Sequence, residues 1–148
     1  MKKIVFLMLL SLSTLFASDL HVEKNFKEMM INADMKNKPI MFIISRHTCK
    51  YCIMLEKQTL SKPEVIKRLN KEFVTYIAYI DDGDMFPQDY WRPGTPSIWF
   101  LDDKGIPLGD PLMGMVDEKN MLQIFDEVHK RFNKRQNSSQ HEYMKNNL

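Results

Sequence analysis

The 148-residue chain is expected to form one α/β domain, and three observations lead to that class. Apolar runs of strand length alternate with stretches of helical period between residues 22 and 132. The first apolar run, Pro39-Ile40-Met41-Phe42-Ile43-Ile44, leads into Cys49-Lys50-Tyr51-Cys52, which opens a helix-like stretch. Gly94-Thr95-Pro96 then enters another apolar run that ends in hairpin turn chemistry.

Each element has its own signal. Val22, Phe26, Met29 and Met30 are spaced i, i+4, i+7, i+8, as on an amphipathic first helix, with Asp19 as its expected N-cap. Residues 39–45 form a continuous apolar run and are expected to be a buried strand; a helix over 49–60 follows. Ser61-Lys62-Pro63-Glu64 has the form of a capping box with proline in the first turn, opening a helix that carries Val65, Ile66 and Leu69. Residues 73–80 are rich in β-branched and aromatic side chains, which suits a strand. Asp81-Asp82-Gly83-Asp84 and two prolines make 81–94 a loop. Ser97-Ile98-Trp99-Phe100-Leu101 is a strand, turning at Asp102-Asp103-Lys104-Gly105 into a short strand over 106–108. Asp117 is placed to cap a last helix with Met121, Leu122, Phe125, Val128 and Phe132 on its apolar face. Residues 133–148 are polar without apolar periodicity, so a frayed C-terminal tail is expected.

The first 18 residues are organised differently. Met1-Lys2-Lys3 is a short basic head, residues 4–10 are apolar, and Ala17-Ser18 precede polar Asp19. That is the pattern of a secretory signal peptide over 1–18, of bacterial type, with the periplasm as destination. Ser11, Ser13 and Thr14 interrupt the run, which is short for a membrane span of about 20 residues. Without residues 1–18 about 130 residues remain, the size of one ordinary domain, with 19–132 as the folded part and 133–148 as the tail. The formal charge of +2 becomes neutral once Lys2 and Lys3 are lost, so composition offers no argument for a nucleic-acid partner. Twelve methionines raise the question of copper, yet Met29, Met30, Met54 and Met121 fall on apolar helical faces and no His-Met run exists. Core packing explains them better.

Cys49 and Cys52 are the two cysteines of the chain. A strand that delivers two thiols to a helix N-terminus suits thiol–disulfide exchange, because unpaired N–H groups and the helix dipole stabilise a thiolate there. The spacing lets Cys52 resolve a mixed disulfide formed at Cys49. Structural disulfides rarely join residues three apart, and a closed zinc site wants four ligands. Arg46, His47 and Lys50 place cationic groups beside Cys49, which lowers a thiol pKa. Tyr51 is placed as a surface aromatic beside the substrate groove.

In this order and motif the chain resembles the thioredoxin superfamily over roughly 38–132 and, within it, secreted reductases like the C-terminal domain of the transmembrane disulfide reductase DsbD. Lys38-Pro39-Ile40-Met41, the two cysteines, Leu55-Glu56-Lys57 and Leu60-Ser61-Lys62-Pro63-Glu64-Val65 carry the likeness. The resemblance implies a thioredoxin fold, a central mixed β-sheet flanked by helices, with Pro96 in a cis peptide facing a redox-active Cys49–Cys52 disulfide. It also implies a client peptide added as a strand along Thr95.

The departures from that family are as informative. Where the superfamily carries a buried aspartate six residues before the first cysteine this chain has Ile43; its accompanying lysine aligns near Ile77, and the usual tryptophan is Thr48. Glu56, four residues after Cys52 on the same helix face, is the carboxylate left to handle protons. The expected activity is thiol:disulfide oxidoreduction by a periplasmic monomer. Cys49 attacks, Cys52 resolves, a membrane donor supplies electrons, and disulfides of secreted proteins or apocytochromes are the clients. No metal or organic cofactor is implied. An oxidase or isomerase, and a non-catalytic module holding a partner subunit or copper, are the alternatives.

Overall fold

A computed structural model of the protein describes residues 19–146; the expected signal peptide over 1–18 lies outside them. The chain runs α1 (Phe26–Lys36), β1 (Ile40–Ser45), α2 (Lys50–Leu55) continuing into a π-helical turn (Glu56–Leu60), α3 (Pro63–Glu72), β2 (Val74–Tyr79), β3 (Ser97–Leu101), β4 (Leu112–Met113) and α4 (Glu118–Asn146). Two short 3-10 turns, Ile80–Asp82 and Gln88–Tyr90, lie in the loop between β2 and β3. The sheet order is β2-β1-β3-β4, with β1 parallel to β2 and antiparallel to β3, so the sheet is mixed as expected. None of the helices described is long and apolar enough to cross a membrane.

β1 is buried along its whole length, which is why its sequence shows no polar alternation. Alternate residues serve two cores. Met41 and Ile43 join Ile98 and Phe100 under Leu55 of α2, Leu69 of α3 and Phe125 of α4. Phe42 and Ile44 face the other way, against Met29 and Ala33 of α1 and Trp99 of β3. Phe42 anchors this second core, stacked on Tyr76 at 5.7 Å between centroids and edge-on to Phe26 at 5.4 Å.

Four local expectations need correction. α1 begins at Phe26, with Asn25 rather than Asp19 as its cap: the Asn25 side chain accepts the Glu28 amide at 2.9 Å. The segment before it is extended, because the Glu23 amide donates to Thr75 O at 2.8 Å along the edge of β2. The capping box at Ser61 does not form; Ser61 Oγ donates back to Lys57 O at 2.7 Å, and Lys62 stands at the cap position ahead of Pro63.

The short strand over 106–108 reduces to a single bridge between Leu101 and Pro107. Proline cannot donate to a ladder, and the Asp102 carboxylate takes the amides of Lys104 and Ile106 instead. The paired partner of β3 is Leu112–Met113. Gly105 closes the intervening turn at φ +83, where a Cβ would also lie 2.8 Å from the Met30 side chain.

The tail expected to fray from residue 133 is instead the continuation of α4. Its hold on the domain is polar, so apolar periodicity could not reveal it. Arg135 donates to the buried Asp102 carboxylate at 3.0 Å and to the carbonyls of Ile106 and Pro107. Gln136 donates to Asp103, and Arg131 to Leu108 O. Asp117 caps the helix as expected, accepting the Asn120 amide at 2.9 Å.

Candidate active site

β1 ends at Ser45 and three residues of turn carry the chain to Cys49, the N-cap of α2. The cap is made by sulfur: the Cys52 amide donates to Cys49 Sγ at 3.3 Å. Cys49 is half-buried, Cys52 lies one turn in and is fully buried, and both are free thiols. Thr95 faces them, accepting the Cys49 thiol on its carbonyl at 3.3 Å. The Thr95–Pro96 peptide is cis, and Pro96 O accepts the Gly114 amide at 2.8 Å, tying the loop to the end of β4. Tyr51 is exposed on the rim.

The two sulfurs have opposite tendencies. Burial pushes the Cys49 thiol up, but hydrogen bonds from the side chains of Cys52 and Thr95 and from the backbone amides of Cys52 and Tyr51 outweigh it, so Cys49 titrates below an ordinary cysteine. Burial pushes Cys52 up and its hydrogen bond with Cys49 adds to this; Ser45, Thr95 and the Arg46 backbone offset only part of it. One thiol is therefore set to ionise and attack, the other to wait protonated.

The expected cationic surround is arranged unevenly. Arg46, His47 and Lys50 are all exposed. His47 is turned toward the β2–β3 loop: its Nε2 lies 2.8 Å from Asp82, its ring stacks on Tyr79 at 4.1 Å, and its backbone amide donates to Asp81. The hydrogen bond to Asp82 raises its pKa above the ordinary value.

Glu56 begins the π-helical turn, a wide-turn geometry that recurs at functional sites. Its Oε1 accepts Tyr79 OH at 3.1 Å and Ser45 Oγ at 3.4 Å. Ile43 and Ile77, at the positions of the missing acid and lysine, are partners in register across β1 and β2, and so are Ser45 and Tyr79. Neither Ser45 nor Tyr79 was singled out from the sequence. The available signal is strand period: each lies two residues beyond its isoleucine, on the same face. Burial, with the nearby Glu56 next, pushes Tyr79 up to about 12, which keeps its hydroxyl a donor.

A strand-turn-helix dithiol with one acidic and one buried sulfur, facing a proline loop, is the arrangement of a thiol:disulfide oxidoreductase. The chain belongs to the thioredoxin-like domain family, whose model matches residues 26–129. Among solved structures it is similar to the DsbH oxidoreductase at 17% identity, covering 78% of this chain and 86% of that one with a TM-score of 0.56. The reduced C-terminal domain of Neisseria meningitidis DsbD matches at 20% identity over 69% of this chain and 92% of that one, TM-score 0.56. A Thermus thermophilus thioredoxin matches at 20% identity over 76% and 87%, TM-score 0.55. At these identities the likeness is one of fold. Comparison with curated proteins gives no match.

Proposed function

We propose that the protein is a periplasmic reductase of disulfides in secreted proteins or apocytochromes, working as a monomer without metal or organic cofactor. The observation that carries the dithiol chemistry is the asymmetry of the pair, Cys49 half-buried at the helix cap with its pKa lowered and Cys52 buried with its pKa raised; the reducing direction rests on the likeness to secreted reductases, because a stabilised thiolate taken alone favours an oxidant. The signal-like pattern of residues 1–18 supports the compartment.

The Cys49 thiolate attacks one sulfur of a client disulfide, forming a mixed disulfide and releasing the other client sulfur as a thiolate. Cys52 then loses its proton and attacks Cys49 Sγ. The Cys49–Cys52 disulfide forms, the second client sulfur leaves, and two electrons have passed to the client. A membrane donor returns the pair to the dithiol. The Thr95 backbone pairs with the extended client segment, Pro96 shapes the groove, and Tyr51 flanks it. Lys50, in the first turn of α2, lends positive charge to the attacking thiolate; His47 contributes less because Asp82 shares its charge. Glu56 receives the proton that Cys52 gives up.

Client trapping tests the roles. Cys52→Ala is expected to accumulate mixed disulfides with client proteins, and Cys49→Ala to accumulate none; equal trapping by both, or trapping by the Cys49 variant alone, overturns the assignment. Alkylation of the two thiols in cells tests direction. A reductase stands reduced while its membrane donor is present and oxidises when the donor is removed, whereas a pair standing oxidised throughout is that of an oxidase.

A further inference from the structure

Helix α4 outruns the core it packs on, and the part that outruns it is basic. Residues 130–148 hold five lysines or arginines and one glutamate, a net charge of +4, while residues 19–148 together are neutral. The chain is therefore polarised, with −4 on residues 19–129. The two arginines of the basic segment are spent on the domain: Arg131 reaches Glu127 and Leu108 O, and Arg135 reaches Asp102. Its lysines are not. Lys130 comes within 4.0 Å of Glu127 at the edge of the pairing distance, and Lys134 and Lys145 join no ion pair among the described residues.

Because the segment is helical rather than frayed, these side chains have a fixed arrangement. Lys130, Lys134, Ser138, His141 and Lys145 are spaced i, i+4, i+8, i+11, i+15, so they share one face of α4, and all are exposed. At about 1.5 Å per residue the row is roughly 22 Å long, and it lies roughly opposite the buried row Met121, Phe125, Val128 and Phe132. Glu127 marks its start and Glu142 stands to one side; no carboxylate falls within it. Met144, 56% exposed and three residues from His141, borders it. From Asn137 to Lys145 the helix is exposed on every side, and a short helix with no packed face is marginal in water.

We propose that this basic row is a docking face for an anionic phospholipid surface. Lysine is a compact, hydrated point charge on a flexible stem, which suits a diffuse field of headgroups, whereas the planar fork of arginine suits a discrete bidentate partner. The chain puts lysine on the open face and arginine on the domain. The row is straight, and the apolar side chain at its border suits the headgroup boundary of a bilayer better than an acidic polypeptide. With three lysines in the row the attraction is weak, reversible and screened by salt. Docking holds the protein on the surface that houses its proposed electron donor and leaves the dithiol chemistry unchanged.

Cosedimentation tests this, using protein without residues 1–18, whose apolar run would itself enter lipid. The vesicles are phosphatidylcholine alone or phosphatidylcholine with about 40% phosphatidylglycerol. The protein is expected to bind the anionic vesicles at about 0.05 M salt, to leave the zwitterionic ones unbound, and to be released at about 0.5 M. Lys130→Glu, Lys134→Glu and Lys145→Glu together are expected to lower the partition coefficient on anionic vesicles about tenfold or more, and the corresponding triple Gln variant to lower it less. Lys24→Glu, Lys27→Glu and Lys67→Glu together change net charge equally from exposed positions elsewhere, and are expected to retain most of the binding. All variants keep the wild-type circular dichroism and the wild-type reaction with 5,5′-dithiobis(2-nitrobenzoate). No binding to anionic vesicles at low salt, equal binding to zwitterionic ones, binding that survives high salt, or equal losses in the two charge-matched triple Glu variants overturns the docking face. Salt-sensitive binding to polyglutamate without binding to anionic vesicles assigns the row to an acidic polypeptide and overturns the lipid proposal. Failure of the wild-type protein to react with the disulfide reagent overturns the dithiol reading alone.

Discussion

Cys49 and Cys52 are the same side chain one helical turn apart, and their chemistry differs because α2 begins between solvent and core. Cys49 sits where amide groups point at it without helical partners, and Cys52 sits where burial penalises charge. In the reduced wild-type protein, the rate of Cys49 alkylation by iodoacetamide, followed by peptide mass mapping, should therefore reach half its plateau below the pH of about 8.5 typical of a free thiol. A midpoint at or above that value would remove the thiolate asymmetry. Glu72 offers a second residue-scale case. Burial opposes its ionisation, but Arg68 at 2.8 Å and His129 at 3.0 Å hold its pKa below the ordinary carboxylate value. A depressed carboxylate pKa stabilises the fold fully above the unfolded value of about 4.3, and that contribution is lost as pH falls through the folded pKa. Glu72→Gln is expected to destabilise the protein by about 1–2 kcal/mol at pH 7, between an exposed pair and a buried charged hydrogen bond, and to flatten the acid limb of a stability–pH curve. Both cysteines were legible in the sequence because their spacing is itself the chemistry. Ser45 and Tyr79 were not, because a hydroxyl at a strand end means nothing until β1 and β2 pair and bring it to Glu56.

Among the elements, α4 departs furthest from its sequence pattern. Its apolar stripe stops at Phe132, but the helix continues through Asn146, and the next turn is clamped by Arg131, Arg135 and Gln136 to the loop after β3. Hydrophobic periodicity reports burial of apolar faces and is blind to a guanidinium seated on a buried carboxylate. Arg135→Ala is expected to destabilise the domain by about 1–3 kcal/mol, less than a fully buried pair because Arg135 is 37% exposed, and Asp102 is left buried at 4%. Urea melts measure it. Truncation after residue 132 should lower the midpoint as much as Arg135→Ala or more. The loss of the expected strand over 106–108 has the same kind of cause: the Asp102 carboxylate takes the Ile106 amide, and Pro107 has none to donate. Strands β1, β2 and β3 were legible because continuous apolar runs with branched and aromatic residues leave few other choices.

For the whole molecule, two cores on opposite faces of one sheet fix where β1 ends, and that end fixes the distance from Ser45 through Cys49 to the Thr95–Pro96 loop. Phe42 sits at the centre of the core that contains no active-site residue. Phe42→Ala is expected to cost about 3–5 kcal/mol of stability, measured by denaturant unfolding, while the surviving folded fraction keeps its dithiol chemistry. Fold class and the dithiol could be read before any coordinates because element periods and the cysteine spacing are local in sequence, whereas the proline loop was expected from the resemblance to the thioredoxin superfamily. The proton-handling cluster joins β1, β2 and the π-helical turn, so it emerges only when the sheet and α2 are assembled. The central claim is that this assembly transfers electrons between a dithiol and client disulfides with Cys49 as the attacking group. Turbidity from insulin reduced by dithiothreitol measures it most directly. Catalytic amounts of the wild-type protein should accelerate precipitation several-fold and Cys49→Ser should reduce it to the dithiothreitol rate; no acceleration by the wild type, or equal acceleration by Cys49→Ser, would contradict it.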